Sequence, residues 1–342
     1  MAAPIRTFDS PMIDLTGQSI LVTGGTGSFG RAFVRHVLNN FKPKRLIVFS
    51  RDEQKHFDME QEFSVKKYPC MRYFIGDVRD YSRLEMAMRA VDYVVHAAAM
   101  KHVPAAEYNP FECIRTNVHG AENVVSAALA NGVKRVIALS TDKACSPLNL
   151  YGASKLASDK IFVAANSLSG EIGTRFAVVR YGNVIGSNGS VLPFFKRLLE
   201  SGTDHLPITD ERMTRFWITL TQGVQFVLSS SALMKGGEIF IPKIPSMAVI
   251  DLAKHLAPDL PIKVIGIRPG EKLHEAMSTE DDSRNMLELD DRYLIKPELA
   301  FWNPDCYADS TAAAVTDGFH YTSNNNSEWL DSAGLEKLLK SC

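Results

Sequence analysis

The chain has 342 residues and a hydrophobic content of 45%, enough for one large or two ordinary domains with a substantial core, so intrinsic disorder is excluded as the default. Lys and Arg total 38 against 39 Asp and Glu, and the formal charge of −1 gives no overall footprint for nucleic acid or an anionic membrane. With no apolar run long enough to span a bilayer, no secretory leader pattern at the start, and five scattered cysteines without metal-ligand spacing, a soluble cytoplasmic protein lacking a disulfide framework or structural metal is expected.

The first dozen residues read as a loose lead-in. β-Branched runs then predict strands over Ser19 to Gly24, Arg45 to Ser50, Arg72 to Asp77, Tyr93 to Ala98, Arg135 to Thr141 and Arg175 to Tyr181. Amphipathic helical stretches separate them, as repeated βα units require, so the expected fold is α/β with a Rossmann-like doubly wound parallel sheet. Its ligand crevice should lie beyond the carboxyl ends of the strands. After about Gly182 short strands at Leu206 to Thr209 and Glu238 to Ile241 mix with helices near Pro193 to Glu200, Thr221 to Leu233 and Met247 to Leu256. The pattern predicts a dinucleotide-binding domain over 13–182 and a smaller C-terminal α/β substrate-binding domain over 183–342. The polar stretch Thr322 to Ser327 reads as a surface loop before a last helix.

The first strand runs into Thr23-Gly24-Gly25-Thr26-Gly27-Ser28-Phe29-Gly30 and then a helix. Glycines at 24, 27 and 30 permit a tight turn, backbone approach to a pyrophosphate and close packing of helix on strand. Strand and helix on either side point to dinucleotide binding by Gly24, Gly27, Ser28, Phe29 and Gly30. At the end of the second strand Ser50 and Arg51 can donate to a 2′-phosphate, whereas the acid expected to repel it falls later, at Asp52 or Glu53. NADP is therefore favoured over NAD. Asp77 and Val78 are placed for the adenine edge, and Ala97 and Ala98 at the end of the fourth strand for the cofactor.

The fifth strand ends in Thr141-Asp142-Lys143, and ten residues past Thr141 comes Tyr151-Gly152-Ala153-Ser154-Lys155. Tyr151 and Lys155, four apart, share one helix face. There the Lys155 charge lowers the Tyr151 pKa and holds a nicotinamide ribose, so that the phenol can exchange a proton with a substrate hydroxyl.

Taken together, TGGTGSFG, SRDE, GDVRD, HAAAMKHVP, STDKA, LYGASK, RYGNVIGS, MTRFWI and RPGEK resemble the extended short-chain dehydrogenase/reductases, most closely the inverting UDP-N-acetylglucosamine 4,6-dehydratases of the pseudaminic acid pathway. The likeness runs from about Ile20 through Met277. It implies that Tyr151 takes the C4 hydroxyl proton, Lys143 the C5 proton, and Asp142 protonates the departing C6 hydroxyl, with Thr141 and Lys155 in support. A lysine base must have a depressed pKa, and Lys155 with the nicotinium charge would supply the depression. The resemblance further implies that Lys101 reaches cofactor or substrate, and that Asn183, Arg215, Arg268 and Glu271 contact the sugar nucleotide. Leu206 to Thr209 would line the uracil, and His102 would be packed. It also implies a homo-oligomer, dimer or hexamer. Two rivals stay open, a UDP-sugar 4-epimerase and a non-catalytic NADP-binding regulator; the first has no evident need for Asp142 beside Lys143, and the second could afford to lose Tyr151.

Overall fold

The computed structural model describes residues 5–170, 173–187, 190–299, 302–308 and 310–340. Cys342 lies outside them, and the other four cysteines are free. Ser19–Thr23 (β1), Arg45–Ser50 (β2), Met71–Ile75 (β3), Tyr93–His96 (β4), Arg135–Thr141 (β5) and Arg175–Tyr181 (β6) pair in parallel in the order 3-2-1-4-5-6. All six stand where the β-branched runs put them. Register sets Thr23 opposite both Phe49 and His96, and Thr141 opposite Tyr181, so the carboxyl ends open along one edge. Ile20, Leu21, Val22, Leu46, Ile47 and Val48 are fully buried because helices cover both faces of a parallel sheet.

Those helices are Ser28–Asn40 (α1), Glu53–Glu62 (α2), Tyr81–Ala87 (α3), Val103–Tyr108 (α4), Pro110–Ile114 (α5), Gly120–Ala130 (α6) and Leu150–Ala164 (α7). A π-helical turn, Arg115–His119, joins α5 to α6. Past residue 182 come Asn183–Val184 (β7), Val191–Glu200 (α8), Leu206–Ile208 (β8), Thr214–Ile218 (β9), Leu220–Leu233 (α9), Ile239–Pro242 (β10), Ser246–Ala248 (β11), Val249–Leu256 (α10) and Ile262–Val264 (β12). Met286–Glu288 (β13), Arg292–Ile295 (β14), Ala313–Ala314 (β15) and Ser332–Lys340 (α11) complete the chain.

The chain beyond 182 divides in space. β10, expected in the smaller unit, instead continues the main sheet parallel to β6, and β14, β13 and β15 add antiparallel strands to make ten. Phe240 and Ile241 are fully buried, as a central strand demands. The smaller unit is built from β7, β9 and β11, the pair β8 and β12, and α8, α10 and α11. Its separate core contains Leu192, Phe195, Trp217, Leu252, Leu335 and Leu338.

One peripheral expectation is corrected and a second is borne out in part. The lead-in is docked from residue 6: Phe8 is buried edge-on against Phe226, Arg6 pairs with Glu328, and the Arg6 carbonyl accepts from Gln222 Nε2 at 2.8 Å. The stretch from Thr322 to Ser327 is a loop before α11, exposed at 324, 325 and 327, but it is anchored inward at two residues. Asn326 Nδ2 donates to Ile244 O at 2.8 Å and Ser246 Oγ at 2.9 Å, and Ser323 is fully buried.

Candidate active site

A cavity of about 690 Å³ opens at the carboxyl edge of the parallel strands, within the usual range for a ligand site. One end is lined by Gly24, Gly27, Ser28, Phe29, Ser50, Arg51, Asp77, Val78, Ala97 and Ala98. Gly24 has φ +64°, and a Cβ on it would come within 2.8 Å of Ala98 N. Gly30 packs behind the loop, where a Cβ would meet Gly25 O at 2.2 Å. α1 starts after Gly27 with no side chain capping it, so its first amides remain available to an anion. The glycine cradle and uncapped helix fit a dinucleotide pyrophosphate.

At the ribose end Ser50 Oγ shares a hydrogen bond with Thr26 Oγ1 at 2.8 Å, and the Arg51 side chain is 60% exposed, 3.7 Å from Asp77. Asp52 also borders the cavity, but its carboxylate caps α2 by accepting from Lys55 N at 3.0 Å and pairs with Lys55 Nζ at 3.0 Å. Arg79, which the motif reading did not single out, donates to Asp77 Oδ2 from Nε at 3.0 Å and Nη2 at 2.7 Å. Against the cost of burial, Arg79 and then Arg51 hold the Asp77 carboxyl below its ordinary range.

At the other end Thr141, Asp142, Lys143, Tyr151 and Lys155 line the same cavity with Lys101 and Asn183. Asp142 sits in a 3-10 turn directly after β5 and is 1% exposed; its Oδ1 accepts from Thr141 Oγ1 at 2.9 Å and from Lys143 Nζ at 3.1 Å, while Oδ2 is buried without a partner. Lys143 Nζ also lies 2.9 Å from Oε1 of Glu275, a second carboxylate that is 1% exposed. Asn149 caps α7 by accepting from Gly152 N, and this helix presents Tyr151 and Lys155. Gly152 lets the helix press on the turn: a Cβ there would stand 2.1 Å from Lys143 O.

The electrostatics overturn two expectations. Burial works to lower the Lys143 pKa, but the Asp142 and Glu275 carboxylates outweigh it and hold the ammonium charged, well above its ordinary value. The expected depression is absent because two opposite charges lie in hydrogen-bonding reach. Burial lifts Tyr151 to about 12, with Lys143 and then the Thr141 hydroxyl pulling down; the lowering charge comes from Lys143 rather than Lys155. Burial and the Glu275 charge raise the Asp142 carboxyl, suiting it to carry a proton. Burial would raise Glu275, but Lys143 and then Arg215 hold it down as a carboxylate.

On the substrate side the expected residues separate. Asn183 lines the cavity, and its Oδ1 is buried without a hydrogen-bond partner. Arg215 is buried but turned to backbone: it donates to the carbonyls of Thr214, Leu273 and Lys272 at 2.7–3.1 Å and stands 3.7 Å from Glu275. Arg268 is exposed and its backbone amide is capped by Glu271 Oε2 at 3.3 Å; neither these two nor Arg215 borders the cavity. Leu206 and Ile208 point into the second core, so β8 offers packing rather than a cavity wall. His102 borders the cavity at the start of α4 and is exposed, not packed.

Residues 20–297 match the family described as "Polysaccharide biosynthesis protein". The chain belongs to this family. A relative named UDP-N-acetylglucosamine 4,6-dehydratase (inverting), from Campylobacter jejuni subsp. jejuni serotype O:2, is 58% identical over 327 residues, 94% of this chain and 97% of the relative. A Rickettsia akari protein named UDP-glucose 4-epimerase is 40% identical over 334 residues, 94% and 95% of the two chains. The X-ray structure of Pen from Bacillus thuringiensis superposes with a TM-score of 0.86 at 37% identity, covering 96% of this chain and 100% of that one. Fold and relatives agree with the extended short-chain dehydrogenase/reductase reading of the motifs.

Motif reading missed Glu275 and Arg79, which back Lys143 and Asp77 from outside the cavity, and lining residues such as Thr26, Lys55, Met100, Thr116 and Tyr181. Arg79 stands in the quoted GDVRD, two residues past Asp77, where pairing at i, i+2 around a strand end was a usable signal. Glu275 carried none, since its contact with Lys143 joins positions 132 apart through the tertiary fold.

Proposed function

We propose that the protein is an NADP-dependent inverting dehydratase that converts UDP-N-acetylglucosamine to UDP-2-acetamido-2,6-dideoxy-β-L-arabino-hexos-4-ulose, the first step of a pseudaminic acid-type pathway. The observation that carries the reading is a buried acid and an adjacent amine, Asp142 and Lys143, set against Tyr151 in one cavity with a dinucleotide cradle. The 58% identical relative of that name supports the substrate and the outcome at C5. For the 40% identical relative named as an epimerase the corresponding activity would need Tyr151 and Lys155 but no acid and base beside them.

Gly24, Gly27 and the first amides of α1 would hold the pyrophosphate, Lys155 the nicotinamide ribose, and Ser50 with Arg51 a 2′-phosphate. The exposed Arg51 beside Ser50 supports NADP over NAD, and the Asp52 carboxylate, which also borders the cavity, is offset by its pairing with Lys55 Nζ. NADP held there would supply a hydride acceptor for C4 and a donor for C6, so that no net oxidation would occur. Tyr151 accepts the C4 hydroxyl proton. Lys143 becomes a base by passing one proton along its 3.1 Å hydrogen bond to Asp142, whose raised pKa favours the acid form. That single transfer makes the base and loads the acid. The C5 proton then goes to Lys143 as the Asp142 proton leaves with the C6 hydroxyl as water, restoring ammonium and carboxylate; as C6 is reduced, a solvent-derived proton enters C5 from the opposite face, and Tyr151 returns the C4 proton to solvent. Asn183 is placed to hold the sugar, and we assign the sugar nucleotide mainly to residues from 183 onward, with Arg215, Arg268 and Glu271 reaching it only after side-chain rearrangement. Lys101 lies between the two ligands. The proposal includes a cytoplasmic location and self-association, to be tested by fractionation and light scattering; among the described residues no helix is long and apolar enough to cross a membrane.

The test is proton NMR and mass spectrometry of a fresh reaction with UDP-N-acetylglucosamine in deuterated water. The expected product is lighter by one water, has the L-arabino configuration with solvent deuterium at C5, and carries the former C4 hydrogen at C6. A product of unchanged mass supports the epimerase instead. Retained D configuration from the earliest time point refutes inversion.

A further inference from the structure

We propose, resting on the dehydratase reading, that Glu275 is a positioning residue for the reaction: its buried carboxylate fixes Lys143 Nζ beside Asp142 and holds the positive charge Lys143 acquires when C5 gives up its proton. Glu275 comes from the far part of the chain and does not border the cavity, so it reaches the substrate only through Lys143. Its backbone is pinned on both sides, since Glu275 N donates to Ser323 Oγ at 2.9 Å and Glu275 O accepts from Ser323 N at 2.8 Å. Its Oε1 takes Lys143 at 2.9 Å and Arg215 Nε at 3.7 Å, while Oε2 is buried without a partner.

An isolated buried carboxylate is costly, and packing alone would be served as well by an amide or an aliphatic group of the same size. The carboxylate is therefore explained by its pairing. Arg215 and Lys272 bias Glu275 toward the ionised form, whereas Asp142 has the Glu275 charge against it; of the two acids around Lys143, Glu275 stays anionic and Asp142 takes the proton. This is the division found wherever two carboxyls share one site unequally. Glu275 stays ionised throughout the proton cycle derived above, in the manner of the aspartate that orients and stabilises the imidazolium of a serine protease triad. The charged groups that face it are Lys143, Asp142, Arg215 and Lys272.

The experiment compares wild type, Glu275→Gln and Glu275→Asp for NADP binding and for the pH dependence of kcat with UDP-N-acetylglucosamine. In Glu275→Gln kcat should fall about 100-fold with KM little changed, and the limb on which kcat rises with pH should move about one to three units lower, because Lys143 loses an opposite charge. Glu275→Asp should restore the limb position in part. A variant that binds NADP and loses rate with an unmoved limb overturns the proposal and leaves Glu275 a filler of space. If wild type forms no dehydrated product, the dehydratase reading fails, and the charge coupling is then judged by the NMR titration of Lys143 Nζ, assigned with Lys143→Met. A titration at lower pH in Glu275→Gln upholds the coupling, and equal titrations overturn it.

Discussion

Lys143→Met tests the buried charge cluster by stability rather than rate. The substitution keeps much of the side-chain volume but removes the cation 3.1 Å from Asp142 and 2.9 Å from Glu275, both 1% exposed. Removing one partner of a buried pair costs about 3–5 kcal/mol, and Arg215, 3.7 Å from Glu275, keeps part of the compensation, so about 3 kcal/mol is expected at pH 8. The cost should depend on pH in a defined direction. Without Lys143 the Asp142 carboxyl, already raised by burial and the Glu275 charge, rises further above its unfolded value of about 4, so the folded state binds more protons and stability falls as pH rises above that value. Urea unfolding without cofactor at pH 5 to 8 should show a deficit that widens with pH. It should shrink by more than half in the double variant Lys143→Met/Glu275→Gln. A single variant as stable as wild type at pH 8 would refute the reasoning, since the carboxylates would then be solvated rather than dependent on Lys143.

Three further outcomes follow from named contacts. Gly30→Ala places a methyl carbon 2.2 Å from Gly25 O and should push α1 off β1, reducing NADP affinity at least 10-fold by fluorescence titration; unchanged affinity would show that the loop has slack. Arg51→Asp should erase or reverse the NADP preference, and equal NAD and NADP affinities in wild type would remove its basis. Burial, then the charge of Lys155, depresses His96 from 6.5 to about 3. The unfolded chain therefore binds a proton that the folded chain refuses as pH falls from about 6.5 to about 3, and stability is lost across that window at up to about 1.4 kcal/mol per unit. His96→Gln should flatten this acid limb in unfolding curves, and an unaltered limb would place the sensitivity elsewhere.

Five of the six parallel strands were legible because each is a short apolar run largely buried on both faces, the edge strand Met71–Ile75, partly exposed, by its place in the βα alternation, and the glycine loop because its spacing answers a steric need at Gly24 and Gly30. Asp142, Lys143, Tyr151 and Lys155 were legible as local patterns at a strand end and on one helix face, and all four meet in the cavity. Their proton affinities were not. The pKa direction of Lys143 depends on Asp142 and then on Glu275, which is brought in between the isolated bridges of His274 to Thr214 and Ala276 to Thr322. Arg215 reads as a ligand-binding charge on a strand, yet backbone carbonyls at 272 and 273 satisfy it. The strands β13 to β15 have two to four residues each, too short for periodicity to announce an antiparallel extension of the sheet.

The contact of Gly152 with Lys143 O ties two chemistries to one mechanical part. Tyr151 and Lys155 ride on α7, Asp142 and Lys143 on the turn after β5, and with no room for even a methyl group between them neither can be re-aimed alone. On the proposed mechanism, shifting the turn to re-aim Asp142 and Lys143 would drag Tyr151 away from the hydroxyl whose proton it accepts. The five residues from 144 to 148 that join turn to cap are thus held to a fixed length, and a library that varies substrate preference should leave this hinge untouched and draw its diversity from the open wall around Asn183.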